Sequence, residues 1–590
     1  MVLTLTAGVT LIATLMFAGW GWAIRRVLRL ERAGWPQTIA FGIAAVAFVG
    51  GILNLARIAK PPALAAVAGI GVLLAIAALR EMPFPRPPLF ESLLIAVIVI
   101  FTVVTQLPPS VFNFRDDFQK YFAYPIRMIE TGTVFGSPFS AMGSQTLGAK
   151  AFIDGFVVAF FPIVYVDGVD AVFGLLLCLM LATQFTRRTG LMSVICLLSV
   201  IFINPQYVNI STLYMGSALI MAISLVCEET PQPGAAALGL LYAALIALKP
   251  SLGVFVAIHL LLFCIVAGIR WAIRTGFATA GFLAPWILLH SPHYLAALRH
   301  PLPPPAPVPG VIEADHLNLF SLESLDYGAT PINYTLLILG FALCALICFR
   351  LGVPKVLACC STGIAAFLVF IYVLGPLHAG YQHAIRYYTP IAIGLAPAIF
   401  GMTALQVEKQ PRMMWIALAA AMIPVAAFTP SLVSRVQRAL RWHSAAAYPW
   451  LSTDTEYMQY SRTVLSPSER QFVKAIQEKI PAGEPVLAWM NFPFYFDYRR
   501  NRIIDIDPAG IGNPWANWNL NLSRAHYLIL DYAGYATPTE QDYRDEALDV
   551  GAGERRNAAL ALDFQDRIDQ LVQGGEVLYD NKELKLVRLR

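Results

Sequence analysis

Apolar runs of about 16 to 24 residues recur along the first three quarters of the chain, with polar residues gathered between the runs and not alternating within them. A helix needs roughly 20 such residues to cross the ~30 Å hydrocarbon core of a bilayer. The pattern therefore predicts about fourteen transmembrane helices, centred near residues 13, 47, 70, 98, 178, 197, 219, 241, 259, 282, 341, 365, 397 and 422. The first run, Val2 to Ile24, has no basic residue before it and no convincing small-residue cleavage site, so it reads as a retained helix.

Past residue 435 the pattern changes. Apolar stretches shrink to strand length at 484–492, 501–507 and 525–532, and 575–589 reads as a hairpin turning at Asp580 and Asn581. Ahead of them Ser466, Pro467 and Glu469 suit an N-cap, a first helical position and a capping box. Short strands alternating with helix predict a small α/β domain, whose ~140 residues suffice for a core of its own. The expected fold class is a polytopic α-helical membrane protein with this α/β domain appended, divided into residues 1–88 (three spans), 89–434 (the other spans and their long loops) and 435–590.

Composition agrees: the chain has 590 residues, 57% hydrophobic and 13% charged, as an integral membrane protein would. The net charge of +5 is small and its cations are dispersed at span ends, which gives no support to nucleic-acid binding. All eight cysteines fall inside apolar runs, a pattern that offers neither a disulfide framework nor metal-ligand spacing and suits small hydrophobes.

Charge then predicts orientation. Arg25, Arg26, Arg29 and Arg32 follow the first span, and alternate later connections carry Arg80 and Arg86, Arg187 and Arg188, Arg270 and Arg274, Arg350 and Lys355, then Lys409 and Arg412. Short basic loops stay in the cytoplasm; only the connection at 227–234 lacks the mark. The extracytoplasmic side is expected to receive residues 108 to about 165, residues 291–330, the tail and both termini.

The first of these loops opens with "NFRDDFQKYFAYPIR", where Asp116 and Asp117 stand among aromatics suited to a membrane interface. Two readings are open: Arg115, Lys120 and Arg127 neutralise a solvated acidic pair, or one carboxylate, held against a partly apolar wall, serves as a base toward a hydroxyl. The second loop is proline-rich and then offers Glu313, Asp315 and His316, whose spacing fits a loop capping a site better than a metal cage. Lys249, in "ALKPS", and His378, His383 and Arg386, in "HAGYQHAIRYYTP", sit where spans surface on that same side. Such cations snorkel to the interface or bind an anionic phosphate. Glu91 and His259, inside spans, read as packing or interface groups.

In this order the features resemble the GT-C superfamily of membrane glycosyltransferases, in layout similar to the protein O-mannosyltransferases and the lipid A aminoarabinose transferase. "RDDFQKY" resembles the acidic first-loop motif, "IRYYTPIAIGLAP" the arginine-tyrosine-proline stretch that opens a late span, and Lys249-Pro250 a lysine-proline pair of some members. The resemblance covers residues 89–431, with spans four to ten as the seven-span module and three further spans before it as a departure. It implies an inverting transfer of a sugar from a polyprenyl-phosphate or pyrophosphate lipid to a glycan, lipid or protein acceptor outside the cytoplasm. Asp116 or Asp117 would be the base, with Arg386, Tyr387 and Lys249 beside the donor phosphate. Lys120, His378, His383, Glu313, Asp315 and His316 are further loop contacts. No cofactor is certain, and assistance by a divalent cation stays open.

Two rivals remain at this stage. An O-antigen-ligase-like or polymerase-like enzyme would rely on His293, Arg299, His300 and His316, and a transporter would show internal repeats and mid-span charges, of which no clear repeat is found. The aromatics of "WMNFPFYFDYRRN" read as core before sugar contacts, with Trp515 and Trp518 the better candidates for stacking.

Overall fold

The structure, a computed structural model, describes residues 2–30, 34–82, 88–106, 121–136, 146–166, 168–186, 190–204, 212–229, 233–299, 330–374, 381–447, 467–490, 492–505, 525–531 and 568–590. It is mostly helical. In chain order the helices are α1 (Val2–Leu28), α2 (Trp35–Leu55), α3 (Pro61–Glu81), α4 (Leu89–Gln106), α5 (Ala123–Thr131), α6 (Ala149–Phe160), α7 (Leu175–Ala182), α8 (Leu191–Phe202), α9 (Tyr214–Glu229), α10 (Ala235–Leu248), α11 (Gly253–Ala267), α12 (Ile269–Arg299), α13 (Pro331–Arg350), α14 (Pro354–Val369), α15 (Tyr381–Val407), α16 (Pro411–Ala427), α17 (Thr429–Ala447) and α18 (Pro467–Gln477). Each expected span centre falls inside one of them. Among the described residues, nine helical stretches are long and apolar enough to cross a membrane, and four further apolar helices are shorter. Several apolar helices of this length make a multi-pass membrane protein.

Small residues set how closely the first helices approach. A Cβ on Gly42 would lie 1.7 Å from the Phe17 carbonyl oxygen, and one on Gly19 would lie 1.8 Å from that of Gly71, so α1 packs backbone to backbone on both α2 and α3.

Side-chain contacts give the helical body two ends. At one, Arg25 donates to Thr38 (3.1 Å), Arg26 pairs with Glu81 (2.5 Å), Gln37 donates to Glu229 (3.0 Å), Lys355 donates to the Glu228 carbonyl (3.2 Å) and Trp271 donates to the Pro233 carbonyl (2.8 Å). The starts of α2, α10 and α12 thus lie together with several of the basic connections. These three helices run side by side, since Trp286 of α12 donates to the Ala47 carbonyl of α2 (3.0 Å) and Gly239 of α10 abuts Ala278. Their C-terminal ends, at Asn54, Lys249 and His290, therefore share the opposite end.

The C-terminal residues form a five-stranded sheet of β1 (Pro485–Trp489), β2 (Arg502–Asp505), β3 (Tyr527–Asp531), β4 (Glu576–Asp580) and β5 (Leu584–Arg588), in the order β2-β1-β3-β5-β4. β1 runs parallel to β2 and β3, pairing Leu487 with Ile504 and Leu528, whereas β5 is antiparallel to β3 and β4. The hairpin turns where Asp580 and Asn581 predict it: Asn581 Oδ1 accepts from the Glu583 and Leu584 amides (3.0 and 2.8 Å), and Lys582 takes a left-handed φ of 67°. Period-two alternation divides the strands, with Leu487, Ile504, Leu528 and Val587 filling one side. Val486, Ile503, Ile529 and Leu586 belong to the same continuous core as the helical body, reached through Phe494.

Candidate functional site

The site-bearing end is built on two left-handed glycines. Gly132 (φ 89°) ends α5, and its missing Cβ leaves room for the Arg57 carbonyl oxygen, which a side chain would meet at 2.1 Å. Ala59 then donates to the Gly132 carbonyl (2.9 Å), and Asn54 Oδ1 accepts from the Val134 amide (2.8 Å), which stitches α5 to the end of α2. Gly148 (φ 104°) starts α6 against Val134 and Trp286, and the preceding Leu147 carbonyl accepts from His290 Nε2 (2.9 Å).

On this platform α5 receives the C-terminal domain. Phe122 meets Phe494 edge to face with ring centres 5.5 Å apart, and Glu130 Oε2 accepts from the Tyr498 amide (2.9 Å). Arg127, 2% exposed, lies 5.7 Å from the Tyr124 ring centre and 5.0 Å from that of Tyr498. Burial pushes the Glu130 carboxyl above its usual range, with the Tyr498 amide pulling the other way.

The two phosphate-site candidates with described side chains meet. Lys249 is the extended residue between α10 and Pro250, a proline that cannot continue the helix and disfavours helical geometry just before itself. Its ammonium lies 4.8 Å from the centre of the half-buried Tyr387 ring. The next residues of "RYYTP" hold α15 in place: Tyr388 is buried and donates to the Gly363 carbonyl (3.0 Å), and Thr389 meets the Tyr334 hydroxyl (3.0 Å).

No protein-family model matches the chain, and no curated protein does.

The other candidates fall differently. Asp116, Asp117, Lys120, Glu313, Asp315, His316, His378, Trp515 and Trp518 lie outside the described residues, as do His300 and Ser466. For His383 and Arg386 the description covers their place on α15 but not their side chains. Arg127, weighed as one neutraliser of the acidic pair, is buried against the Tyr498 ring, while the pair itself lies outside the described residues. Glu91 accepts from Ser193 (2.9 Å) and His259 Nδ1 meets the Tyr242 hydroxyl (2.6 Å), so both have partners within the packed body. Phe494, Tyr495 and Phe496 are core and not a sugar platform. All eight cysteines are free, and among the described residues no three His, Cys, Asp or Glu side chains are grouped to hold a metal.

Several buried charged residues escaped the sequence reading, Lys150, Asp154, Asp170 and Arg435 among them. Lys150 pairs with Asp154 one turn along α6, and Asp170 accepts from the amides of Leu213 (3.0 Å), Tyr214 (2.9 Å) and Met215 (2.9 Å) at the start of α9. A carboxylate inside the apolar run 168–185 was itself the available signal.

Proposed function

We propose that the chain is a GT-C-type membrane glycosyltransferase that moves a sugar from a polyprenyl-phosphate or pyrophosphate lipid to a glycan, lipid or protein acceptor. The observation that carries the reading is the meeting of Lys249 and Tyr387. They are far apart in sequence, both were expected beside a donor phosphate, and Arg386 precedes Tyr387 directly.

In this mechanism Asp116 or Asp117 accepts the proton of the acceptor hydroxyl as its oxygen attacks the anomeric carbon. The bond from that carbon to the lipid phosphate breaks in the same displacement, and the anomeric centre inverts. The charge that develops on the departing phosphate is met by Lys249 and the Arg386 fork, with Tyr387 orienting the lysine. No nucleotide site is required, because the lipid phosphate is already the leaving group.

The test uses the full chain in lipid nanodiscs with polyprenyl-phosphate hexose and pentose donors and a cell-envelope extract that supplies glycan, lipid and protein acceptors, release of free polyprenyl phosphate being followed by mass spectrometry. Release above the protein-free control, reduced about a hundredfold in the Lys249→Ala/Arg386→Ala double variant, is expected. Release at the wild-type rate in that variant would defeat the assignment.

The same reading carries the finer topology: fourteen spans, an inner-membrane location, and the active site, both termini and the C-terminal domain on the extracytoplasmic side. A fluorescent reporter that folds only in the cytoplasm, fused after Arg590, is expected to stay dark, and alkaline phosphatase at the same point to be active. The opposite pair of results reverses the orientation of the tail.

A further inference from the structure

We infer that Asp154 is a proton-binding site, and that uptake of a proton on its Oδ2 makes α6, the helix that starts at Gly148, responsive to pH. Lys150 and Asp154 are 1% and 0% exposed, and the lysine ammonium pairs with Oδ1 one turn along the helix. Oδ2 is enclosed as well and has no hydrogen-bond partner among the described residues. A carboxylate spreads its charge over two oxygens, so an ammonium on one leaves buried charge on the other that nothing answers. A proton on Oδ2 removes that charge and keeps the Lys150 contact, because Oδ1 still accepts. The resulting hydroxyl is a donor of the kind that helices turn onto the carbonyl four residues back, as Thr14 and Thr279 do onto Thr10 and Thr275 (2.7 and 2.8 Å).

The charged groups that act on Asp154 are Lys150, on its own helix, and Asp170, on the π-helical turn Val169–Gly174. Of the helices packed on α6, α2 has no charged side chain, and α10 has none and brings Tyr242. α3 carries Arg80 and Glu81 at its far end, and α5 carries Arg127 and Glu130, which meet the Tyr498 ring and amide. Asp170 is the poorer place for a proton, because both of its oxygens already accept from the amides of Leu213, Tyr214 and Met215. Asp154 has the open oxygen. α6 is neither one of the span-length helices nor one of the shorter apolar ones. Burial raises the Asp154 carboxyl from its ordinary 3.8 to about 7, with Lys150 pulling it down and Asp170 pushing it up. As pH rises, the unfolded chain gives up this proton first. The folded protein therefore gains stability that is full below 3.8 and is lost as pH rises through about 7.

The site uses none of Lys249, Arg386 and Tyr387, and it stands whether or not the chain transfers a sugar. The test joins thermal unfolding to infrared spectroscopy on the full chain in neutral detergent. As pH falls from 8 to 5, the wild-type unfolding midpoint is expected to climb relative to that of Asp154→Asn, a neutral side chain of the same shape that cannot titrate. A protonated-carboxyl band that fades in the wild type with a midpoint of about 7 is expected to be missing in Asp154→Asn. In Lys150→Met the same band is expected to persist about one pH unit higher or more, since the cation that favours the carboxylate is gone. That arm compares the wild type with the lysine variant and decides the matter even where the Asn variant does not fold. Parallel wild-type and Asn midpoints across the range, or a titrating band that is unmoved in Lys150→Met, overturns the site. A wild-type midpoint that rises with sodium chloride and not with choline chloride at pH 8, while staying flat toward acid, puts a sodium ion on Oδ2 in the proton's place and overturns it too.

Discussion

Replacing Asp116 and Asp117 by Asn in separate variants is expected to abolish most sugar transfer in one of the two and to leave the other with a smaller defect. The asymmetry follows from geometry: adjacent side chains on a helical segment point about 100° apart, so only one faces a given hydroxyl. The amide keeps the shape and a hydrogen-bonding oxygen but cannot take a proton, so the lost rate measures base catalysis, about 10²- to 10⁴-fold. Steady-state transfer from a polyprenyl-phosphate donor, measured beside donor affinity, separates this role from a structural one. A base variant loses turnover at unchanged donor affinity, whereas loss of a binding contact weakens affinity. Near-full rates in both variants would remove the acidic pair from the chemistry and with it the proposed mechanism.

How much of this was legible in the sequence depended on the range of the interactions involved. Spans were visible because roughly 20 consecutive apolar residues are a local pattern that the bilayer alone dictates. Strands and the turn after Asp580 were visible for the same reason, since alternation and Asn581 act over a few residues. The meeting of Lys249 with Tyr387 was half visible: both were placed at span ends on one side, which permits contact without requiring it. Arg127 was not legible, because its burial depends on Tyr498, a residue from a domain folded more than three hundred positions later.

Lys150, Asp154 and Asp170 were visible as charges, but their tasks were hidden for another reason. A lone charge in an apolar run predicts that some partner exists but not which one. Here the partners are an ammonium one helical turn away and the first amides of a different helix. Mid-body charges of this kind were the signature of the transporter alternative, yet Asp170 is occupied by a structural task and Lys150 by Asp154.

That task makes Asp170 the position of largest expected structural effect. The first amides of any α-helix lack partners within the helix, and inside an apolar body no water is at hand to replace them. One carboxylate serves three of them at the start of α9, with Oδ2 accepting from Leu213 and Tyr214 and Oδ1 from Met215. The carboxylate's charge also opposes the positive end of the helix dipole. A π-helical turn over Val169–Gly174 carries the aspartate to this place, and Gly174 keeps the approach open: a Cβ there would lie 3.0 Å from the Met215 nitrogen. Asp170→Ala leaves three buried donors unmet, and the expected loss is roughly 2–4 kcal/mol, given ~1–3 kcal/mol for each unsatisfied buried group with partial relaxation. Asp170→Asn is expected to lose less, because its oxygen still accepts from Leu213 or Tyr214, while its amide nitrogen presents a donor where another acceptor is needed. Thermal unfolding in detergent, followed by a dye that reports newly exposed cysteines, should therefore rank wild type above Asn and Asn above Ala. Equal midpoints for wild type and Ala would mean that α9 does not depend on this cap, and Asp170 would then return as a candidate for ion or proton transfer.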